Sequence, residues 1–187
     1  AGNLDVAPDQ FRARLHRAGL YAVFFNPNVL DLVEMFLGPE IRLYPNYTVR
    51  PKFPEWEGTK VLWHQDGGYT EQVKNIDGKG ADGTTERLRM VNVWASLVPA
   101  TVENGCMQFV PGTHNLGVVP HVDKGRYLEI AEEVLSPLRE RAVNIEMQPG
   151  DVVFFNNLLF HQGLTNNAKT IRWSMDWRYQ DAIQDTQ

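Results

Sequence analysis

The 187 residues, 43% hydrophobic and 22% charged, suffice for one well-buried domain and are too few for two comfortable ones. A net charge of −5 with dispersed Lys and Arg gives no basic footprint for nucleic acid, and the single Cys106 rules out a disulfide framework or a multi-cysteine zinc site. No apolar run approaches the ~20 residues that cross a bilayer, and the charged opening "AGNLDVAPDQFRARLHRAG" is unlike a signal peptide, so a cytoplasmic protein with no membrane or nucleic-acid partner is expected. The chain opens without an initiator Met, so absences near residue 1 carry little weight.

In chain order, "PDQFRARLHRAGLYAVFF" and "NPNVLDLVEMFLGPE" read as helices, the second capped by Asn28 and stopped by Gly38-Pro39. Val29, Leu30, Leu32, Val33, Phe36 and Leu37 are its expected packed face. From Pro39 the texture changes to short β-branched and aromatic runs between Pro, Gly and Asn: "IRLYPNYTVRPKF", "KVLWHQD", "LRMVNVWASLV", "MQFVPG", "AVNIEMQPGDVVFFNN" and "TIRWSMDWRYQ". These predict a sandwich or barrel with the helices on an outer face. The polar, Gly-rich stretch 70–87 reads as a long loop over whatever follows "WHQD", and "GRYLEIAEEVLSPLRERA" reads as a short helix capping the β core.

"VLWHQDGGYT" carries the chemistry. In a strand, residues two apart point to one side, so His64 and Asp66 present an imidazole and a carboxylate to one point. A facial metal site of two His and one carboxylate needs a third ligand, and His161, at the end of the apolar run "DVVFFNNLLF", is the best placed. His16 lies in a charged helix, His114 in the turn "VPGTH" and His121 in the loop-like "VVPHVDKG". Arg172 follows His161 by eleven residues, across a turn centred on Asn166-Asn167 that would form a hairpin and bring the two strands side by side. By period 2, Arg172, Ser174 and Asp176 share one face and Trp173, Met175 and Trp177 the other, which is the face expected to claim the core. An inward Arg172 would require an anion.

Taken in order, "WHQD", "VNVWASLVPATVENGCMQFVPGTH" and "PGDVVFFNNLLFHQGLTNNAKTIRWSMDWRY" resemble the phytanoyl-CoA dioxygenase (PhyH) family of Fe(II)- and 2-oxoglutarate-dependent oxygenases, over about three-quarters of the chain from Arg42 onward. The resemblance implies a mainly β, double-stranded β-helix (jelly-roll, cupin-like) barrel over about 41–180, with flanking helices over about 1–40, in one domain spanning 1–187. It implies metal ligands His64, Asp66 and His161, with Arg172 clamping the distal carboxylate of 2-oxoglutarate and Trp94 lining the cosubstrate pocket. Tyr44, Asn46, Thr48 and Arg50 share a face by period 2, and Thr48 or Tyr44 is the expected further cosubstrate contact. Gln65, Tyr69, Trp56 and the 70–87 loop are candidates to touch substrate.

The implied cofactors are Fe(II), 2-oxoglutarate and O2. The implied reaction is hydroxylation of an unactivated C–H in a small, mostly apolar molecule, an acyl thioester or a natural-product intermediate, releasing succinate and CO2. An intact Asp66 favours oxygenation over halogenation. The chain departs from the family at Gly163, where many members carry Ser or Thr, and in its short segment before Arg42. Two alternatives keep the same fold: a cupin-like metal enzyme that does not use 2-oxoglutarate, and a catalytically inactive jelly-roll binding module.

Overall fold

A computed structural model describes residues 18–70, 88–125 and 127–184. His16, most of the first expected helix and nearly all of the 70–87 loop lie outside the described residues. Two short helices, α1 (Ala18–Phe24) and α2 (Pro27–Leu37), precede eleven strands. Pro27 at the first helical position and Gly38 at the stop (φ 85°) bound α2, but the cap is Asn26, whose side chain accepts the Asn28 N–H; Asn28 itself lies inside the helix. Val33 and Leu37 are buried, with Val29 and Leu30 packed beside them. Leu32 and Phe36, expected on the packed face, are exposed, because the sheet takes only one narrow stripe of the helix.

The strands form two antiparallel sheets. In the first, β1 (Ile41–Leu43) and β2 (Thr48–Lys52) both pair with β11 (Arg172–Asp181), followed by β4 (Met90–Ser96) and β9 (Val152–Asn156). In the second the order is β3 (Val61–His64), β10 (Phe160–Gly163), β5 (Met107–Val110) and β8 (Val143–Ile145). This is the expected mainly β jelly-roll architecture. The long strand expected over Ile41–Phe53 is broken between Leu43 and Thr48, so Tyr44 and Asn46 fall outside regular strand while Thr48 and Arg50 keep one face. Residues 128–130 are also not helical. β6 (His121–Asp123) and β7 (Leu128–Ile130) make a two-stranded ribbon, and only Glu132–Leu135 is α-helix, continued as a 3-10 helix to Arg141.

β11 decides where the core lies. Its residues Met175, Trp177 and Tyr179 stand opposite Ala95, Val93 and Val91 of β4, and all six pack with Phe24, Val33 and Leu37 of the helices. The apolar face of β11 therefore does claim a core, but it is the one between sheet and helices. Arg172, Ser174, Asp176 and Arg178 consequently face the space between the two sheets, the reverse of the placement that the apolar alternation suggests. β10 and β11 are not a hairpin either, since they belong to opposite sheets and residues 164–171 cross between them. Buried Asn166 fixes that crossing by donating to the Lys52 and Thr170 carbonyls and accepting the Ala168 N–H.

Candidate metal centre

β3 ends at His64, so Asp66 is not in the strand and the i, i+2 argument holds only in its outcome. The chain turns immediately, with Gly68 N–H bonded to the Gln65 carbonyl and Tyr69 N–H to that of Asp66, and a single helical turn, α3 (Gly67–Thr70), follows. The Gly pair permits this turn by close approach: a Cβ at Gly67 would lie 2.5 Å from Leu158 Cδ2, and one at Gly68 would lie 3.1 Å from the His121 ring. β10 then pairs with β3 so that His161 stands directly opposite His64. One donor atom from each of His64, Asp66 and His161 lies within 4.8 Å of the others, with the two imidazole centroids 4.0 Å apart.

Each imidazole is oriented by its own backbone. Nδ1 of His64 donates to the Leu62 carbonyl at 2.7 Å and Nδ1 of His161 to that of Leu159 at 2.8 Å, which turns both Nε2 atoms toward the shared space. Burial, then the neighbouring His64, pushes His161 down to about 3, so it is a neutral ligand donor at ordinary pH. His121 repeats the pattern, donating from Nδ1 to the Val119 carbonyl, but its Nε2 accepts the Gln65 N–H at 3.4 Å and so supports the turn between the other two groups. His114 is exposed on a 3-10 turn.

Arg178 is the residue that sequence reasoning missed. Its guanidinium meets both Asp66 carboxylate oxygens, Nη2 to Oδ1 at 2.9 Å and Nε to Oδ2 at 3.3 Å, with both side chains buried. Burial alone would raise the Asp66 carboxyl, but Arg178 and the two imidazoles override it and hold it well below the usual carboxylate range. The available signal was the period-2 alternation itself, because Arg178 is three steps along the face that carries Arg172.

At the other end of that face, Arg172 is 4% exposed, with its Cζ 5.3 Å from the centroid of the Trp94 ring. Its Nε and Nη1 have no hydrogen-bond partner among the described residues, and the buried Thr48 Oγ1, Ser174 Oγ and the Asn92 side-chain amide share that condition. The register puts all of them on one face: Thr48 stands opposite Asp176, which stands opposite Trp94, and Asn92 stands opposite Arg178. Native interiors leave few polar atoms unsatisfied, so four such side chains facing one space fit a polar ligand there. A carboxylate-bearing chelator suits an orphaned guanidinium, and two imidazoles with a carboxylate suit a non-haem Fe(II).

The remaining candidates separate. Gln65 is fully buried and its amide is saturated, donating to the Gly117 and Leu158 carbonyls and accepting the Val119 N–H, so it binds loops together and is not available to substrate. Tyr69 is 44% exposed, its ring edge-on to His64 at 5.9 Å and its hydroxyl accepting the Leu128 N–H. Trp56 is exposed and packs edge-on against Phe53. Tyr44 is half-buried in the break between β1 and β2, with its N–H bonded to the Arg178 carbonyl.

Residues 5–174 match the family model described as phytanoyl-CoA dioxygenase (PhyH). A probable phytanoyl-CoA dioxygenase of Caenorhabditis elegans is 33% identical over 82% of this chain and 48% of its own length. The 1-deoxypentalenic acid 11-beta-hydroxylase of Streptomyces arenae is 28% identical over 84% of this chain and 55% of its own. The chain thus spans about half the length of these curated relatives. Among solved structures, the epimerase SnoN in complex with Fe3+, alpha ketoglutarate and nogalamycin RO superposes with a TM-score of 0.65 at 23% identity, covering 91% of this chain and 61% of that one.

Proposed function

The chain belongs to the phytanoyl-CoA dioxygenase family, and we propose that it is an Fe(II)- and 2-oxoglutarate-dependent oxygenase that hydroxylates a C–H of a small, mostly apolar molecule. One observation carries this: a buried guanidinium, Arg172, with two nitrogens unpartnered among the described residues, on the sheet face that also bears the Arg178 partner of Asp66. The iron and alpha ketoglutarate that SnoN holds in the same fold support it. When bound, Fe(II) and 2-oxoglutarate together supply the activation of O2, one oxygen atom going to the substrate and the other to succinate, with CO2 released.

His64, Asp66 and His161 would hold the iron. Arg172 would neutralise the distal carboxylate of 2-oxoglutarate, with Trp94 as the wall beneath its side chain and Thr48 as a hydroxyl donor. Phe155 and Phe109 stand edge-on to the His161 ring at 4.9 and 6.3 Å and exclude water from that side. Arg178 holds the Asp66 carboxylate ionised and in place, so no proton has to leave it when a cation arrives. Tyr69, beside His64 and partly exposed, is the residue of the described set that would meet substrate. The phytanoyl-CoA and 1-deoxypentalenic acid in the names of the relatives support a substrate of mostly hydrocarbon character. The helical front part and the barrel act here as one domain.

Anaerobic protein loaded with Fe(II) and titrated with 2-oxoglutarate is expected to develop the weak visible metal-to-ligand charge-transfer band. Arg172→Ala should weaken that titration about 100-fold, the scale of losing a bidentate charge-assisted pair. Iron binding without the band would transfer the chain to the cupin-like class that does not use 2-oxoglutarate.

A further inference from the structure

We propose that Lys52 forms, with Arg172, a two-cation clamp on the distal carboxylate of the cosubstrate, an inference that rests on the 2-oxoglutarate reading above. Lys52 is 2% exposed and stands directly opposite Arg172 in the β2–β11 register. Among the described residues neither makes an ion pair. Two like charges buried side by side are unfavourable unless an anion completes them. Burial, and then the Arg172 charge, push the Lys52 ammonium down to about 7.

Lys52 also spans the barrel. From a strand of the first sheet its Nζ reaches the second, donating to the Gly163 carbonyl at 3.1 Å and to that of Leu164, which leaves one of its three protons for a ligand. The surroundings are shaped to its stem. A Cβ at Gly163 would lie 3.0 Å from Nζ, so the ammonium would have to give way slightly, and one at Gly105 would lie 2.4 Å from the Leu164 carbonyl oxygen and 2.7 Å from the Lys52 Cδ. Gly163 is two residues beyond His161 on β10, so the ammonium stands next to the strand that carries one imidazole of the metal centre while its own strand pairs with that of Arg172. The ammonium thereby occupies the volume that a short hydroxyl side chain at position 163 would otherwise fill.

The test is calorimetric binding of 2-oxoglutarate and of oxalate to the whole chain loaded with Mn(II), in wild type, Lys52→Met, Lys52→Gln and Lys52→Met/Gly163→Ser. Oxalate chelates a metal but has no chain to reach Lys52. In Lys52→Met the dissociation constant for 2-oxoglutarate should rise about 10- to 100-fold, the loss of one charge-assisted contact, with oxalate unchanged. Lys52→Gln keeps a donor for the Gly163 and Leu164 carbonyls and guards against a folding defect; it should show the same selective loss. The hydroxyl that Gly163→Ser adds in the double variant should recover part of it, since the space left by Nζ then admits the side chain. Unchanged 2-oxoglutarate binding in both single variants, or an equal loss for 2-oxoglutarate and oxalate, would overturn the role of Lys52 and leave the Arg172 reading standing. If wild type binds oxalate but not 2-oxoglutarate, the cosubstrate reading itself fails, and the clamp with it.

Discussion

The two faces of β11 occupy different environments. On the outer face Met175, Trp177 and Tyr179 are closed in by β4 and by helices α1 and α2 in an almost wholly apolar layer. On the inner face Arg172, Ser174 and Arg178 are also buried, yet they are polar, and Arg172 Nε and Nη1 and Ser174 Oγ lack a partner among the described residues. Burial is similar, so exposure alone cannot tell the faces apart; the number of polar side chains gathered on each can. The outer face holds one such unpartnered atom, Trp177 Nε1, in a layer of hydrocarbon that stabilises the fold, whereas the inner face gathers four side chains with atoms unpartnered among the described residues, a pattern that fits a ligand.

That division breaks most visibly with Trp177→Ala. Trp177 is fully buried between sheet and helices, and its loss should cost about 3–5 kcal/mol of stability in denaturant titrations. The iron affinity of the folded fraction should stay within about twofold. An equal loss of iron affinity would mean that the two faces are mechanically coupled.

Arg178→Met sharpens the comparison from the inner side. It leaves the Asp66 carboxylate buried without its cation, and should destabilise the metal-free protein by about 3 kcal/mol, the lower range for breaking a buried pair. Added Fe(II) should recover part of that, so the rise in melting temperature on adding metal is expected to be larger in the variant than in wild type. A metal-independent loss would assign Arg178 to the scaffold alone.

The smallest change in metal-free stability is expected from His161→Gln, near the same volume but with no imidazole. Because His161 is neutral in the fold, no charge is stranded, and metal-free stability should change by no more than about 1 kcal/mol. Iron affinity should fall about 100-fold or more, at or beyond the loss expected for an outer partner. Anaerobic iron titration alongside thermal melting checks both halves.

Much of the strand inventory was legible because alternation and turn residues are local signals: β3, β4, β5, β8, β9 and β11 all lie within or overlap the runs that sequence reasoning marked, whereas the apolar run "DVVFFNNLLF" leading to His161 turns after Asn156 and its end joins the other sheet as β10. Local signals misled where two elements compete for one pattern. The apolar alternation of β11 says only that one face is hydrophobic, and here the helices, not the opposite sheet, cover it. Residues 128–130 carry a helical spacing, but pairing with β6 turns them into strand. The capping of α2 passed from Asn28 to Asn26 because Pro27 is suited to the first helical turn.

The sequence by itself determined the family and the triad of residue types, since "WHQD", the later His161 and Arg172 occur at fixed places along the chain. Only the tertiary structure decided what its buried cations meet. Arg178 lies 112 residues from Asp66, and Lys52 lies 111 from Gly163 and 120 (172 − 52) from Arg172. No local pattern links such partners. They meet because antiparallel register fixes which residues stand opposite, and because closing two sheets on each other brings their inner faces within side-chain reach.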